Sequence, residues 1–600
     1  MTGKIVRMAE SDSGVKPVEL GDLLVSYLEQ LGVEFVFGIP GGAIEPFVDA
    51  LARSGRRGGP RLIISRHENG AAFMADGYSS VTGKLGVCFA TTGPGTTNVV
   101  TGVASAYANN IPMLVITAQT SLDTFGKGAF QESSCTGINT LSIFESITRY
   151  NSLVSHPEQF EAKLAAAIMS AYQSPRGPAH LSIPIDVMKT PPRQQLQFEN
   201  LPHHVEKPAL LDQAAFEEFS ELLLASRKPV FVIGNEAGEA IGTILEIAVW
   251  LNVPVIVTPY GKGLISPHHP LFRGVIGFAG HQSTVDTLTD PDVDLVVAIG
   301  TTLGEWASEG WNAEVLLNSR LVHVESSENR FIGSPMARLH VRGSIQVVFD
   351  QLKQKMNELE HPKKLNEDHV RQVSERKEFH FTLDDEEAFR SEQVPIMPQR
   401  LMAELPAMFP PHTRYLADTG NSFGWAMHYL HPYDRRVAGK RDAKGGLFKA
   451  SLEFASMGWA IGSCVGMALA LPGTPVVCIT GDGSYLMSGQ EITVAIQEEL
   501  PIIFIVLNDA GYGMVKHGQR LTGAEPAGYS LPEIDFAAMA AAMGIEGHVI
   551  NSVQDLKDLD IRALCKKRGP TMLDVRIDPE ATPPIGLRTR VLRRNNAKKA

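Results

Sequence analysis

Short apolar runs rich in Val and Ile alternate with segments of helical periodicity along nearly the whole chain. The first helical segment, residues 20–31, places Leu24, Leu28 and Leu31 on one face. Strand-like runs separated by helices are typical of βαβ units, in which helices cover both faces of a parallel sheet. The pattern therefore predicts an α/β protein.

The strand-like runs fall into three groups, which predict three domains, each built on a doubly wound parallel sheet. The expected domains are 15–190, 205–355 and 395–582. A Pro-rich and polar stretch, 190–208, is typical of a linker, and the charged segment 353–387 is typical of a solvated helix or a second linker. The predicted strands are 35–37, 62–64, 85–90, 113–117 and 180–183 in the first group, 230–233, 253–258, 294–299 and 321–324 in the second, and 415–418, 475–480, 502–507 and 572–577 in the third.

Composition and charge narrow the class of protein. The chain has 600 residues, of which 44% are hydrophobic, and 54 Lys and Arg against 66 Asp and Glu give a formal net charge of −12. This acidity argues against nucleic acid as a partner, because phosphate binding needs a basic face. The short basic tail 588–599 is expected to be solvated. Five scattered cysteines without a CxxC pair, and an N-terminus without an apolar signal core, predict a cytoplasmic protein.

One stretch has the bare length of a membrane span. Residues 454–471 form a run of 18 residues without a charge. The run is rich in Gly, Ala and Ser and leads directly into a short apolar strand and a GDG turn. We therefore expect a buried helix against a sheet, and no membrane partner.

The strongest local motif stands in the third domain. Asp482 follows a strand and is flanked by Gly481 and Gly483, and twenty-six residues separate it from Asp509, which follows the next strand. Because that spacing suits one βαβ crossover, both aspartates are expected at the carboxyl ends of adjacent parallel strands, where α/β sheets bind ligands. Carboxylate oxygens with backbone carbonyls nearby suit Mg²⁺, and glycines at a helix N-terminus suit a diphosphate. The alternative is a pair of ordinary turn aspartates.

The GDG segment and its ND partner resemble the metal and diphosphate site of thiamine-diphosphate-dependent enzymes. LIISRHENGAAFMADGYSS (62–80) resembles the strand, turn and helix that carry the activating glutamate of that family, here Glu68. ATTGPGTTN (90–98) and GIPGGAI (38–44) resemble its turns at the pyrimidine end. The resemblance implies the domain order pyrimidine-binding, middle and diphosphate-binding. Taken alone, Glu68 is typical of a first-turn glutamate that stabilises a helix dipole.

The resemblance also implies which residues hold the two cofactors, thiamine diphosphate and Mg²⁺. The metal ligands would be Asp482, Asp509 and the backbone of Gly511. Met457 would support the cofactor in a bent form, since similar enzymes place a bulky apolar residue there. The other cofactor-binding residues that the resemblance implies are Pro40, Glu68, Asn98, Asn421, Ser422, Gly483, Ser484 and Met514.

Within this family, the chain most resembles the acetolactate synthases. GAFQESSCTGINTLSIFESITRYNSLV (128–154) resembles the loop whose Phe and Gln line their reaction centre, here Phe130 and Gln131, and Gly42 in the opening turn completes the implied catalytic set. These enzymes decarboxylate pyruvate and transfer the acyl carbanion to a second carbonyl compound. The branched-chain enzymes carry a tryptophan where this chain has Gly518, so the identity of the acceptor stays open.

The resulting prediction is an acetolactate-synthase-like carboligase that acts on a 2-keto acid, with pyruvate as the expected donor. Two alternatives stay open: a 2-keto acid decarboxylase or acyltransferase without ligation, and a non-catalytic cofactor-binding regulatory subunit. Because the family builds each active site between subunits, the resemblance implies a homodimer or homotetramer. Segment 230–242 lacks a strict GxGxxG, and 300–311 lacks the Arg/Asp-rich run of FAD-containing relatives, so we expect no tightly bound FAD.

Overall fold

Three parallel sheets organise the chain. The computed structural model describes residues 18–191, 200–205, 210–432 and 446–587. Within them the strands form three six-stranded sheets with parallel strand pairs and flanking helices. The predicted α/β class and the three parallel sheets are therefore confirmed, while the domain borders stay predictions. The predicted linker 190–208 lies partly, and the basic tail 588–599 wholly, outside the described residues.

The first sheet lies within residues 35–184. Its strands are β1 (Phe35–Gly38), β2 (Arg61–Ile64), β3 (Gly86–Ala90), β4 (Met113–Gln119), β5 (Tyr150–Leu153) and β6 (Pro178–Pro184). Its helices are α1 (Leu20–Gln30), α2 (Glu45–Gly55), α3 (Glu68–Thr82), α4 (Pro94–Asn98), α5 (Val100–Ala108), α6 (Thr140–Glu145), α7 (Phe160–Tyr172) and α8 (Ile185–Met188), followed by the short α9 (Leu201–His204). The strand order is β2-β1-β3-β4-β6-β5. Every residue of β3, β4 and β6 is buried, as helices on both faces of a parallel sheet require.

The second sheet lies within residues 229–342. Its strands are β7 (Pro229–Ile233), β8 (Val255–Val257), β9 (Phe272–Val275), β10 (Leu295–Ile299), β11 (Leu321–Glu325) and β12 (Leu339–Arg342). The helices here are α10 (Gln213–Ala225), α11 (Ile241–Leu251), α12 (Gln282–Thr289) and α13 (Ile345–Glu358), and the charged segment that follows contains α14 (Glu367–Glu375) and α15 (Glu386–Phe389). The strand order is β12-β11-β10-β7-β8-β9, so β8 and β9 are added on one side of β7, and β10 to β12 on the other.

The third sheet lies within residues 414–576. Its strands are β13 (Arg414–Ala417), β14 (Phe448–Ala450), β15 (Val476–Gly481), β16 (Ile502–Asn508), β17 (Glu546–Ile550) and β18 (Thr571–Arg576). Its helices are α16 (Pro398–Met408), α17 (Asn421–Tyr429), α18 (Trp459–Ala470), α19 (Asp482–Ser488), α20 (Ile492–Gln497), α21 (Gly513–Thr522), α22 (Phe536–Ala542), α23 (Val553–Lys557) and α24 (Ile561–Leu564). The strand order is β14-β13-β15-β16-β18-β17. The ends of β13, β15 and β16 therefore lie side by side.

The first and third sheets share one hydrophobic core, although the second sheet separates them in sequence. Helix α3 of the first domain packs against α18 of the third within this core. The helices approach so closely that a Cβ on Gly77 would lie 2.0 Å from the backbone oxygen of Ser463. Only a glycine allows that contact without moving one helix.

The uncharged stretch 454–471 contains α18, a buried helix of 12 residues, as the sequence predicted. It leads through a short turn into β15, which is buried as far as Thr480. None of the described helices combines the length and the apolar composition needed to cross a lipid bilayer.

Candidate active site

Glu68 stands at the carboxyl edge of the first sheet, where α3 begins after the turn that follows β2. Its side chain is buried, with 9% of the residue exposed. The amide Nδ2 of Asn98 donates to its Oε2 at 3.0 Å, and a Cβ on Gly95 would lie 3.3 Å from its Oε1. Glu68 and Asn98 are thus in direct contact, with Glu68 buried and Asn98 exposed at the surface.

The loop that carries Gln131 covers the glycine turn beside this carboxyl group. Thr92 Oγ1 donates to the backbone oxygen of Gln131 at 2.8 Å. A Cβ on Gly93 would lie only 2.9 Å from the Cβ of Gln131. Gln131 therefore packs against the turn 91–95, whose other end faces Glu68.

Gln119 is a buried residue that the sequence motifs did not indicate. Its Oε1 accepts hydrogen bonds from the amide of Ser133 at 3.0 Å and from Thr92 Oγ1 at 3.3 Å. It thereby ties the loop that carries Gln131 to the end of β4. A polar residue that ends an otherwise apolar strand is the signal that could have pointed to it.

The other residues predicted for this half of the site are exposed. Phe130 is 87% exposed, and Pro40 and Gly42 lie on the surface of the turn after β1. That turn contacts the glycine turn, because a Cβ on Gly41 would lie 2.7 Å from the Cβ of Thr91. The structure gathers these residues at one edge of the first sheet but leaves the Phe130 ring open to solvent.

Asp482 and Asp509 follow the adjacent parallel strands β15 and β16, as their spacing predicted. Asp482 begins α19; its Oδ2 accepts the amide of Gly511 at 3.0 Å, and its Oδ1 accepts the amide of Gly483 at 2.7 Å. Burial raises the pKa of Asp482. Burial, together with the negative charge of Asp482, raises the pKa of Asp509 to about 7. The two carboxyl groups are therefore close enough to repel each other when both are ionised.

Asn421, the first residue of α17, reaches the same place from the end of β13. A Cβ on Gly513 would lie 2.3 Å from Asn421 Nδ2 and 2.7 Å from Asp509 Oδ2. Asn421 Oδ1 is buried and has no hydrogen-bond partner within the part of the chain that the structure describes. Ser422 is also buried, and its Oγ donates to the backbone oxygen of Asp418 at 2.8 Å. An unpaired buried amide oxygen can accept a hydrogen bond from a ligand or coordinate a cation.

Asp418 organises the loops of this second group, a role that the DTGNS motif alone did not reveal. It is fully buried, and its Oδ2 accepts the amide of Gly458 at 2.9 Å and Thr480 Oγ1 at 3.0 Å. Its Oδ1 accepts the amides of Thr419 at 3.0 Å and Ala460 at 3.4 Å. Burial raises the pKa of Asp418 to about 6, while these four donors favour its ionised form. One carboxylate thus fixes the ends of β13 and β15 and the start of α18.

The remaining residues predicted to bind the cofactor lie around these loops. Ser484 is buried, and its Oγ donates to the backbone oxygen of Thr419 at 3.4 Å. Met457 is half-buried and directly precedes Gly458, whose amide donates to Asp418 Oδ2. Met514 is half-buried in α21, against the hydrophobic core.

The predicted residues therefore form two half-sites on different domains. The first contains Glu68, Asn98 and Gln131, and the second contains Asp482, Asp509 and the residues around them. No hydrogen bond or ion pair joins Glu68 to either aspartate within the described ranges.

The second half-site has the donors that a hard cation and a diphosphate need. It offers two carboxylates, an unpaired amide oxygen and the backbone of the glycine turns, all oxygen or N–H groups. No group of three or more His, Cys, Asp and Glu side chains placed to hold a metal ion occurs among the residues that the structure describes. A two-carboxylate set is compatible with Mg²⁺, which usually keeps several waters and binds phosphate oxygens.

Comparison with protein-family models gives the same three-part order. Residues 18–138 match the thiamine pyrophosphate enzyme N-terminal TPP binding domain, 216–352 match the central domain, and 418–575 match the C-terminal TPP binding domain. The chain belongs to the thiamine pyrophosphate enzyme family. The family models thus support thiamine diphosphate (thiamine pyrophosphate) as the cofactor and place Glu68 in the N-terminal and Asp482 in the C-terminal binding domain.

Several acetolactate synthases match this chain over nearly its whole length. Acetolactate synthase isozyme 1 large subunit of Escherichia coli (strain K12) is 30% identical over 93% of this chain and 94% of its own length. Acetolactate synthase isozyme 2 large subunit of the same organism is 28% identical over 92% and 95%. Acetolactate synthase of Arthrospira platensis is 29% identical over 95% and 96%. The resemblance to acetolactate synthases is therefore confirmed at the level of the family.

Proposed function

We propose that this chain is a carboligase that decarboxylates a 2-keto acid, with pyruvate as the donor, and adds the acyl carbanion to a second carbonyl compound. The observation that carries the proposal is the packing of Gln131 on the glycine turn that faces Glu68. It places Gln131 at one end of the turn 91–95, whose other end contacts the Glu68 carboxyl group, and a glutamine amide can donate to the oxygen of a carbonyl compound. The names of the full-length relatives support the same reaction.

Glu68 would hold the pyrimidine end of the cofactor and move a proton at its Oε1, the oxygen that faces Gly95. Thiamine diphosphate, when bound, supplies a carbon nucleophile for the keto group and an electron sink for the decarboxylation. Asn98 occupies Oε2 and so orients the carboxyl group. Burial excludes water that would compete for that proton.

The second half-site would hold the diphosphate and Mg²⁺. Asp482, Asp509 and the backbone of Gly511 would bind the cation, since all three provide oxygen. Asn421 would hold a phosphate through its side-chain N–H groups. Met457 would support the cofactor from the loop that Asp418 fixes.

A second copy of the chain would complete each site. Within the described part of one chain, no hydrogen bond or ion pair joins Glu68 to Asp482 or Asp509. Several large apolar side chains are exposed, namely Phe130 (87%), Phe454 (47%) and Met487 (49%). Side chains of this kind are typical of surfaces that another subunit covers. We therefore propose a homodimer, or a homotetramer built from such dimers.

The reaction is tested by mass spectrometry of the products that the purified protein forms from pyruvate, thiamine diphosphate and Mg²⁺. The expected result is CO₂ together with acetolactate, or a mixed ligation product when another keto acid or aldehyde is added. Acetaldehyde without any ligation product would assign a decarboxylase. Acetyl phosphate formed when phosphate and a two-electron acceptor are both added would assign an acyltransferase, because the two-carbon unit must be oxidised before phosphate can take it. No CO₂ from any 2-keto acid would indicate a non-catalytic subunit.

Gly518 is expected to set the size of the acceptor. It lies in α21 one turn beyond Met514, and no atom lies within 4 Å of a Cβ built on it, so a larger side chain has room. Gly518→Trp is expected to lower the kcat/KM for a bulky acceptor relative to a small one by about 10-fold or more, because an indole fills the space. Competition between two 2-keto acids, read from the product ratio, measures it. Gly518→Ala is the control, since it also replaces the helix glycine but adds no ring. An unchanged product ratio in Gly518→Trp would contradict the assignment.

The purified protein is expected to show no flavin absorbance band. In the turn after β7, the amide of Gly234 donates to the oxygen of Ile299 at 2.8 Å and that of Glu236 to the oxygen of Gly300 at 3.3 Å. These N–H groups are used by strand carbonyls and are not free for a pyrophosphate. A visible spectrum of the protein as purified, and of the acid-released supernatant, measures it; stoichiometric flavin would overturn the expectation.

A further inference from the structure

A second buried carboxyl group lies beside Glu68 and comes from the other binding domain. Glu491 ends the short turn Gly489–Glu491 between α19 and α20, nine residues after Asp482, and is 1% exposed. Burial raises its pKa to about 7, and the nearby charge of Glu68 acts in the same direction. None of the sequence motifs included it.

Glu491 binds the turn from which Glu68 projects. Its Oε1 accepts the amide of His67 at 2.8 Å, and its Oε2 accepts the amide of Arg66 at 3.1 Å. These are the two residues directly before Glu68, which begins α3. The carboxyl group therefore fixes the backbone at the point where the helix and its first side chain start.

The Arg66 side chain makes a second set of contacts between the turn and the same segment of the third domain. Its Nε donates to Thr493 Oγ1 at 2.8 Å, and one of its terminal nitrogens donates to Gln497 Oε1 at 2.9 Å, both on α20. Backbone and side chain of one residue are thus bound by a single short segment, 491–497. Two independent attachments restrict both the position and the rotation of the turn.

Gly70 makes room for this contact. A Cβ on Gly70 would lie 2.3 Å from Glu491 Oε1, which is a clash. The absence of a side chain at the third residue of α3 is therefore what allows the carboxyl group to reach the two amides.

We infer that Glu491 is a positioning residue, which holds the 66–67 turn so that the Glu68 carboxyl group points at the cofactor. The inference rests on the proposed role of Glu68. It does not depend on the donor or acceptor of the reaction, because Glu491 acts before any substrate binds. Through these hydrogen bonds, the diphosphate-binding domain also helps to fix the position of the Glu68 carboxyl group in the same chain.

The test compares full-length wild type and Glu491→Gln with thiamine diphosphate and Mg²⁺ bound. A glutamine keeps the shape but presents an NH₂ to one of the two amides, so one hydrogen bond becomes a donor–donor contact. We expect exchange of the C2 proton of bound thiamine diphosphate for deuterium, followed by NMR, to slow by about 10-fold or more. We expect amide hydrogen exchange in peptides spanning 61–70 to be faster. Cofactor affinity from calorimetry should change much less.

The matched control is Glu498→Gln. Glu498 binds Arg61 across the same domain contact but touches neither amide of the turn, so both exchange rates should stay at the wild-type value. Glu491→Asp keeps the charge and should recover part of the C2 exchange rate, and it carries the test if Glu491→Gln does not fold. Wild-type C2 exchange and wild-type amide protection in the Glu491 variants would overturn the inference. If the Glu491 variants exchange the C2 proton more slowly than the wild type, but the wild type forms no ligation product, only the proposed function is overturned and the inference on Glu491 stands.

Discussion

Glu68→Gln is expected to consume pyruvate about 10²–10⁴-fold more slowly than the wild type while still binding thiamine diphosphate. An amide cannot take or give the proton that the carboxyl group moves. The variant should fold, because glutamine has nearly the same volume and its oxygen can still accept from Asn98 Nδ2. Pyruvate consumption and C2 proton exchange give the rate, and calorimetry gives the affinity.

Glu367→Gln is the control for the alternative in which Glu68 only stabilises the start of its helix. Glu367 is also the first residue of a helix, α14, but it is exposed and far in sequence from both half-sites. Its loss tests the helix-dipole effect, which is worth only a few tenths to about 1 kcal/mol. Equal activity of Glu68→Gln and Glu367→Gln would remove the proposed proton transfer at Glu68.

Asp482→Asn is expected to bind the cofactor more weakly, whereas Glu68→Gln is expected to bind it and react slowly. Asparagine removes one negative charge from the two-carboxylate set and places an NH₂ donor where a cation would bind. We expect the affinity for thiamine diphosphate in Mg²⁺ to fall by about 100-fold or more. Calorimetric titrations at several Mg²⁺ concentrations measure this, and chelation of Mg²⁺ in the wild type should reproduce the loss.

Asp535→Asn is the matched control for this substitution in the same domain. Asp535 caps α22 by accepting the amide of Ala538 at 2.7 Å, and asparagine caps helices about as well as aspartate. Its cofactor affinity should therefore equal that of the wild type. If Asp482→Asn also binds thiamine diphosphate with wild-type affinity at low Mg²⁺, Asp482 does not hold the metal.

The sequence pattern predicted the inner strands of all three sheets and missed most of the edges. The five strands it missed, β5, β9, β12, β14 and β17, each lie at an edge of a sheet, and β2 is the edge strand it found. An inner parallel strand is covered on both faces and reads as a continuous apolar run. β17 has the sequence EGHVI with three half-buried or exposed positions in the middle, and β14 has three residues. Neither contains a run long or apolar enough to be recognised without its neighbour.

In the two half-sites, too, the sequence predicted contacts between neighbouring strands but not contacts between distant segments. Asp482 and Asp509 could be placed together because one crossover joins their strands. Glu491 could not be assigned, because its partners come from a distant part of the chain. The partners of Glu491 lie more than 420 residues away, in the 66–67 turn. Spacing along the sequence carries no signal for a contact of that kind.

The common core of the first and third sheets bears on how the polypeptide matures. A nascent chain that has completed its first sheet still presents the apolar face of α3, because α18 has not yet been synthesised. Ribosome-bound intermediates of this protein should therefore be good chaperone clients until the last third has emerged. Truncations that end after the first or second sheet would leave that face permanently bare and would be expected to aggregate.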